Sequence, residues 1–117
     1  MTSTMTQTIV ILSSDATLHA SLTSLFEARG HRVLADLEVP THWAADADCV
    51  VVDLDRPSTR LSIEWLEGRF PGVPCLVVSG SPWSGPQAAA GLTHGYFLHM
   101  PVPALELTAM VEGLLHD

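Results

Sequence analysis

The sequence predicts an α/β domain, a doubly wound sandwich in which five parallel strands carry helices on both faces. Three observations predict it. The apolar runs Ile9-Val10-Ile11-Leu12, Cys49-Val50-Val51-Val52 and Cys75-Leu76-Val77-Val78 are continuous rather than alternating, the pattern of strands covered on both sides. Segments with helical spacing separate the runs, so the order is strand, helix, strand, as parallel sheets require. The chain has 117 residues, 47% of them apolar, enough for one core and too few for two.

Each element has its own signal. After the first run, Ser13-Ser14-Asp15 are helix-capping residue types, and Leu18, Leu22, Leu25 and Phe26 then share one helical face, ended by Gly30. Val33-Leu34 with Leu37 makes a shorter second run, and Pro40 to Ala47 leaves room for barely two helical turns. After Arg56-Pro57-Ser58 a helix is expected through Ile63, Trp65 and Leu66, stopped by Phe70-Pro71-Gly72. A loop of Ser, Pro and Gly follows the fourth run at Ser79-Gly80, leading to a short helix near Gln87 to Leu92. Tyr96-Phe97-Leu98 is the fifth run, and a last helix is expected over Pro103 to Leu115, with Leu107, Met110, Val111 and Leu114 on one face. Met1 to Gln7 are polar and read as a flexible leader, residues 8–117 as the domain.

Composition excludes several function classes. With 13 acidic residues against 5 basic ones the formal charge is −8, and the five arginines form no stripe, which argues against direct nucleic-acid binding. The chain contains no lysine. No apolar run approaches the ~18 residues of a membrane span, and the leader lacks the basic and apolar regions of a signal peptide. A cytoplasmic location is therefore expected. Cys49 and Cys75 each open an apolar run and read as buried reduced thiols. The six histidines show no metal-ligand spacing. Ser81-Pro82-Trp83-Ser84-Gly85 is not a nucleophile elbow, and strand alternation puts His99 on the face opposite Met100, so a Ser-His-Asp hydrolase is not supported.

Ligand and reaction sites of doubly wound sheets lie at the carboxyl ends of the strands. Here those ends carry Ser13, Ser14, Asp53, Ser79 and Met100. From Thr8 to Leu115 the segments in order resemble the response-regulator receiver domain, the CheY-like family of bacterial two-component signalling. Ile11 to Leu18 resembles its first strand and turn, and Phe26 to Val33 its first helix end and second strand. Asp48 to Leu54 resembles the strand bearing the phosphoacceptor aspartate, and Pro74 to Gly80 and Gly95 to Pro101 resemble the last two strands. The resemblance implies a flavodoxin-like (βα)5 sandwich. From Val33 to Asp53 the chain is several residues shorter than typical receivers, so a shortened second helix is expected.

By that resemblance Asp53 matches the phosphoacceptor and Ser79 the hydroxyl switch residue. Phe97 falls at the switching aromatic position without a tyrosine hydroxyl, and the Met100-Pro101 bond is expected to be cis. The acidic pair that holds Mg²⁺ in the family is replaced by Ser13 and Ser14, and the family's lysine position is Met100. Asp15 is expected to cap the helix, leaving Asp15 and Asp53 as weak metal candidates and Asp53 as the sole pocket carboxylate. Mg²⁺ is usually held by one or two carboxylates plus phosphate. Losing the lysine contact costs about 1.5–3 kcal/mol, which slows phosphoryl transfer by about tenfold for each 1.36 kcal/mol felt in the transition state.

The leading expectation is a pseudo-receiver, a non-enzymatic module of phosphorelay signalling with no cofactor. It would act by contact with a protein partner: a signalling kinase, an output domain or a second copy. The family's usual contact face, the last strand with its flanking helices, includes Trp83, Phe97 and Val102 here. Trp83 is either such a contact or a cover for an apolar helix edge, whereas Trp43 and Trp65 read as core or core-edge residues. Two alternatives stay open: an authentic receiver that accepts phosphate on Asp53 with Mg²⁺, and a small-ligand sensor using an enclosed, apolar pocket at Met100.

Overall fold

The structure is a computed structural model and describes residues 7–35, 47–57 and 62–115. Its strands are β1 (Thr8–Leu12), β2 (Arg32–Ala35), β3 (Cys49–Asp53), β4 (Cys75–Ser79) and β5 (Gly95–His99). Its helices are α1 (Ala16–Ala28), α2 (Ile63–Arg69), α3 (Ser84–Ala90) and α4 (Ala104–Leu115). All strand pairings are parallel, in the order β2-β1-β3-β4-β5. The chain direction across the sheet reverses between β1 and β3, so their carboxyl ends, Leu12 and Asp53, flank the crevice where such sheets hold ligands. The doubly wound fold is the one the apolar runs predict.

Strand alternation splits the core in two. Val10, Leu12, Val50, Val52, Cys75 and Val77 face α2 and α3, meeting Leu66, Phe70 and Ala89. Ile9, Ile11, Cys49, Val51, Leu76 and Val78 face α1 and α4, meeting Leu22, Phe26, Leu107 and Val111. The two cysteines thus lie on opposite faces, and burial pushes both thiols up to about 12, with Cys75 adding to the effect at Cys49. At ordinary pH both stay protonated and unreactive.

Local chemistry sets the helix ends. The Asp15 carboxylate accepts from the Thr17 and Leu18 amides at 3.1 and 3.2 Å, capping α1. Gly30, at φ 87°, ends that helix by passing the His31 amide to Phe26 O and its own to Glu27 O, both at 3.0 Å. Ser62 caps α2 through the Trp65 amide. The α3 helix starts at Ser84, earlier than the spacing predicts, because Ser81 Oγ accepts the Ser84 amide at 3.0 Å and Pro86 is tolerated in a first turn, where no N–H partner is needed. The shortened second helix, Leu37 and Trp43 fall outside the described residues, as does all of the leader except Gln7. Trp65 is half-buried against the α2/α3 core, a core-edge position.

Candidate functional site

The carboxyl ends of β1, β3, β4 and β5 converge on a small open cleft of about 170 Å³, lined by Asp15, Leu18, Asp53, Asp55, Arg56, Val78 and Met100. Asp53 is its buried carboxylate, 6% exposed. Both of its carboxylate oxygens are occupied from within the chain. Oδ1 accepts the Asp55 and Arg56 amides, each at 3.1 Å, and Oδ2 accepts the Ser13 hydroxyl at 2.7 Å. Ser13 Oγ in turn accepts the Asp15 amide at 3.0 Å. Ser14 turns outward, with its amide and hydroxyl both on the Arg56 carbonyl at 2.7 and 3.2 Å. Ser13 and Ser14 therefore act differently: one faces Asp53, and the other ties the β1–α1 turn to the β3 loop.

Ser79 is fully buried, and its hydroxyl donates to Asp55 Oδ1 at 2.7 Å rather than to Asp53. Asp55 Oδ2 accepts the Gly80 amide, also at 2.7 Å. The Gly80 amide and then the Ser79 hydroxyl hold the Asp55 carboxyl below its ordinary value against a small opposing effect of burial, and Arg56 helps. Phe97 is half-buried and its ring lies directly against Gly85 of α3, leaving no room for a side chain there. The Met100-Pro101 peptide is cis. His99 directs Nε2 toward the Gly80 carbonyl at 3.1 Å, on the face opposite Met100.

Several expectations need correction. Asp53 is not the sole carboxylate of its cleft, because Asp15 and Asp55 line it too. Asp55 escaped sequence reasoning; the signal available was an acid two residues beyond the strand-end aspartate. The cleft at Met100 is small, open and acidic, not the enclosed apolar pocket that the small-ligand reading requires. A larger cleft of about 530 Å³ lies between α2 and α3, bordered by Val52, Ile63, Leu66, Val77 and Ala88, with Asp55 on its rim as well. The expected contact face is also divided: Trp83 is 78% exposed, while Phe97 packs on the α2/α3 core and Val102 on the α1/α4 core. Among the described residues the other large exposed apolar side chains are Tyr96 and Leu105.

No protein-family model matches the sequence, and no curated protein matches it. Solved structures do match. A response regulator from Thermotoga maritima aligns with a TM-score of 0.71 at 16% identity, covering 97% of this chain and 100% of its own. The receiver domain of the sensor histidine kinase PA1611 from Pseudomonas aeruginosa aligns at 0.72 and 13% identity, over 97% of this chain and 100% of that one. NtrX from Brucella abortus, crystallised with ADP, aligns at 0.72 and 16% identity over 96% of this chain, which spans only 27% of NtrX. This chain has the receiver-domain fold.

The PA1611 receiver carries a magnesium ion coordinated in its active-site cleft. In this chain the three carboxylates lining the cleft all accept hydrogen bonds from within the chain: Asp15 Oδ1 from the amides it caps in α1, Asp53 from three donors and Asp55 from Ser79 and Gly80. Among the described residues no group of three or more His, Cys, Asp or Glu is placed to hold a metal. Arg56 is the cation among the described residues that line the cleft. Among the described residues no helix is long and apolar enough to cross a membrane.

Proposed function

We propose that this chain is a pseudo-receiver: a cytoplasmic, non-enzymatic signalling module that works through contact with a protein partner, with phosphorylation of Asp53 impaired. The observation that carries this reading is the state of Asp53. A phosphoacceptor needs a nucleophilic carboxylate oxygen and cations to neutralise the incoming oxygens. Three donors from Ser13, Asp55 and Arg56 fall on the Asp53 carboxylate and lower its basicity. Met100 lines the cleft in a chain that has no lysine, which leaves Arg56 as the cation among the described lining residues. A phosphoryl group entering there would also meet the Asp15 and Asp55 carboxylates. Asp53 instead acts as a turn-holding residue, tying the β3 end to the β1–α1 turn.

The partner class follows from the same features. The domains of this fold described above come from a response regulator and a sensor histidine kinase, contexts in which a kinase, an output domain or a second copy is at hand. Trp83, exposed at the start of α3, is the side chain best suited to anchor such a contact, since desolvated tryptophan contributes strongly to interfaces.

Amide NMR spectra recorded with and without Mg²⁺ plus beryllofluoride, a mimic of the bound phosphoryl group, test the proposal. An unchanged spectrum at millimolar metal is expected. Shifts centred on Asp53, Ser79 and Phe97, abolished by Asp53→Ala, would restore the phosphoaccepting alternative.

A further inference from the structure

We infer that Asp55 is a built-in anionic latch: its carboxylate holds the Ser79 hydroxyl and the Gly80 amide together and thereby fixes the β4–α3 loop that presents Trp83. The inference rests on local geometry and stands whether or not Asp53 accepts phosphate.

The donors decide it. Ser79 is buried, and a hydroxyl has one proton to give. That proton goes to Asp55 at 2.7 Å, and the neighbouring Gly80 amide goes to the other oxygen of the same carboxylate at 2.7 Å. Two adjacent donors converging on one carboxylate form a small anion site, and the chain fills it itself. A group attached to Asp53 therefore finds these donors already taken. The clamp lies close to Gly80 without crowding it: a Cβ there would stand 3.5 Å from Asp55 Oδ2, an ordinary contact.

The hold passes along the loop. Ser79 Oγ accepts the Ser81 amide at 2.9 Å. Ser81 Oγ accepts the Ser84 amide at 3.0 Å and the Trp83 amide at 3.4 Å. Asp55 thus reaches the first residue of α3 and the backbone of Trp83 through two serines. Upstream, Asp53 Oδ1 holds the Asp55 amide, which aims the Asp55 side chain across the sheet end. The carboxylate of Asp53 and the loop bearing Trp83 are connected by this chain of bonds, with Asp55 at its centre. A neutral side chain at residue 55 would offer the two donors weaker acceptance than an ionised one.

Charge makes the latch measurable. The ionisable groups around Asp55 are Asp53 and Arg56 on its own segment, Asp15 at the start of α1, and His99 across the Gly80 carbonyl. The Gly80 amide resonance should follow the protonation of Asp55, with a midpoint below 3.8, since the latch depresses that value. The latch is intact above this midpoint and opens as the pH falls through it.

The test is amide NMR on the full chain, wild type and Asp55→Ala, without metal or phosphoryl mimic. In wild type the Gly80 amide should titrate with that low midpoint. In Asp55→Ala the titration should vanish, Gly80 hydrogen exchange should quicken by about tenfold, and the Trp83 and Ser84 amides should shift while Val51 and Val77 stay in place. Asp55→Asn, which retains one acceptor oxygen, should fall between. A Gly80 titration that persists in Asp55→Ala, or Gly80 exchange and Trp83 shifts unchanged by the substitution, would overturn the latch. If Asp55→Ala does not fold, Asp55→Asn decides: Gly80 exchange and Trp83 and Ser84 shifts unchanged by that substitution would refute the latch.

Discussion

The two faces of the sheet are closed by different means. On one, α1 with 13 residues and α4 with 12 lay Leu22, Phe26, Leu107 and Val111 onto the strands, all fully buried. On the other, α2 and α3 have seven residues each and leave the 530 Å³ cleft between them. The first face relies on apolar area, which is non-directional and tolerant of small shifts. The second also buries an apolar core, with Leu66, Phe70, Val73 and Leu92 in it, and adds close backbone approach and polar clamps: Gly85 under the Phe97 ring, Gly95 under the Ala89 carbonyl, and Glu67 gripping the Thr93 amide and hydroxyl at 2.7 and 2.8 Å. Short helices cannot bury much, so their placement is fixed by contacts that admit little substitution.

Truncating matched leucines measures that difference most directly. Leu107→Ala, on the closed face, should cost about 3–5 kcal/mol, because a fully enclosed site cannot collapse around the cavity. Leu66→Ala borders the open cleft, where water can reach the space left behind, and should cost about 2–3 kcal/mol. Urea unfolding of both variants checks this, and equal losses would erase the distinction between the faces.

Glycine substitutions sharpen the same contrast. A Cβ at residue 95 would collide with the Ala89 backbone carbonyl and the Leu92 Cβ, and neither can swing away. Gly95→Ala should therefore cost about 2–3 kcal/mol by overpacking. At Gly85 the obstacle is the Phe97 ring, a side chain at an edge strand that can turn outward. Gly85→Ala should cost nearer 1–2 kcal/mol and increase the solvent exposure of Phe97. Thermal unfolding ranks the pair, and hydrogen exchange at β5 separates strain from repacking.

Much of the architecture was legible because its signals are local and periodic. The continuous runs at Ile9, Cys49 and Cys75, the cap at Asp15 and the stop at Gly30 each need only a few neighbouring residues to be read. The strand-end positions of Ser13, Asp53, Ser79 and Met100 followed from the order of elements. Their partners did not. Ser79 meets Asp55 from 24 residues away, and nothing in Asp53-Leu54-Asp55 says which carboxylate will turn toward the β4–α3 loop. The tight glycines at 85 and 95 were equally silent, since a residue without a side chain carries no periodic pattern, and the space it must leave belongs to another strand or helix. Pairings across the sheet are decided by side-chain direction at the loop, which periodicity does not encode.

A smaller effect of charge divides the site from the scaffold. Removing the Ser13 hydroxyl by Ser13→Ala leaves Asp53 Oδ2 buried without its donor, a loss of about 1–3 kcal/mol. The scaffold counterpart is Glu112, which joins α4 to the end of α1 by accepting from Arg29 Nε at 2.6 Å and meeting His31 Nε2 at 3.1 Å. Burial pushes the Glu112 carboxyl up, but the bonds to His31 and Arg29 prevail and hold it below its ordinary 4.5. A depressed carboxyl stabilises the fold above its unfolded value and loses that contribution as pH falls through the folded one. Glu112→Gln should thus lower stability near pH 7 by about 0.5–1 kcal/mol, the scale of a partly exposed ion pair, with the gap from wild type narrowing below 4.5. Because this pair is reachable by counterions, added salt should shrink the gap as well. The Ser13→Ala deficit should survive the same salt, since Asp53 is buried, and a deficit that fades with salt would place Asp53 among the solvated surface acids instead.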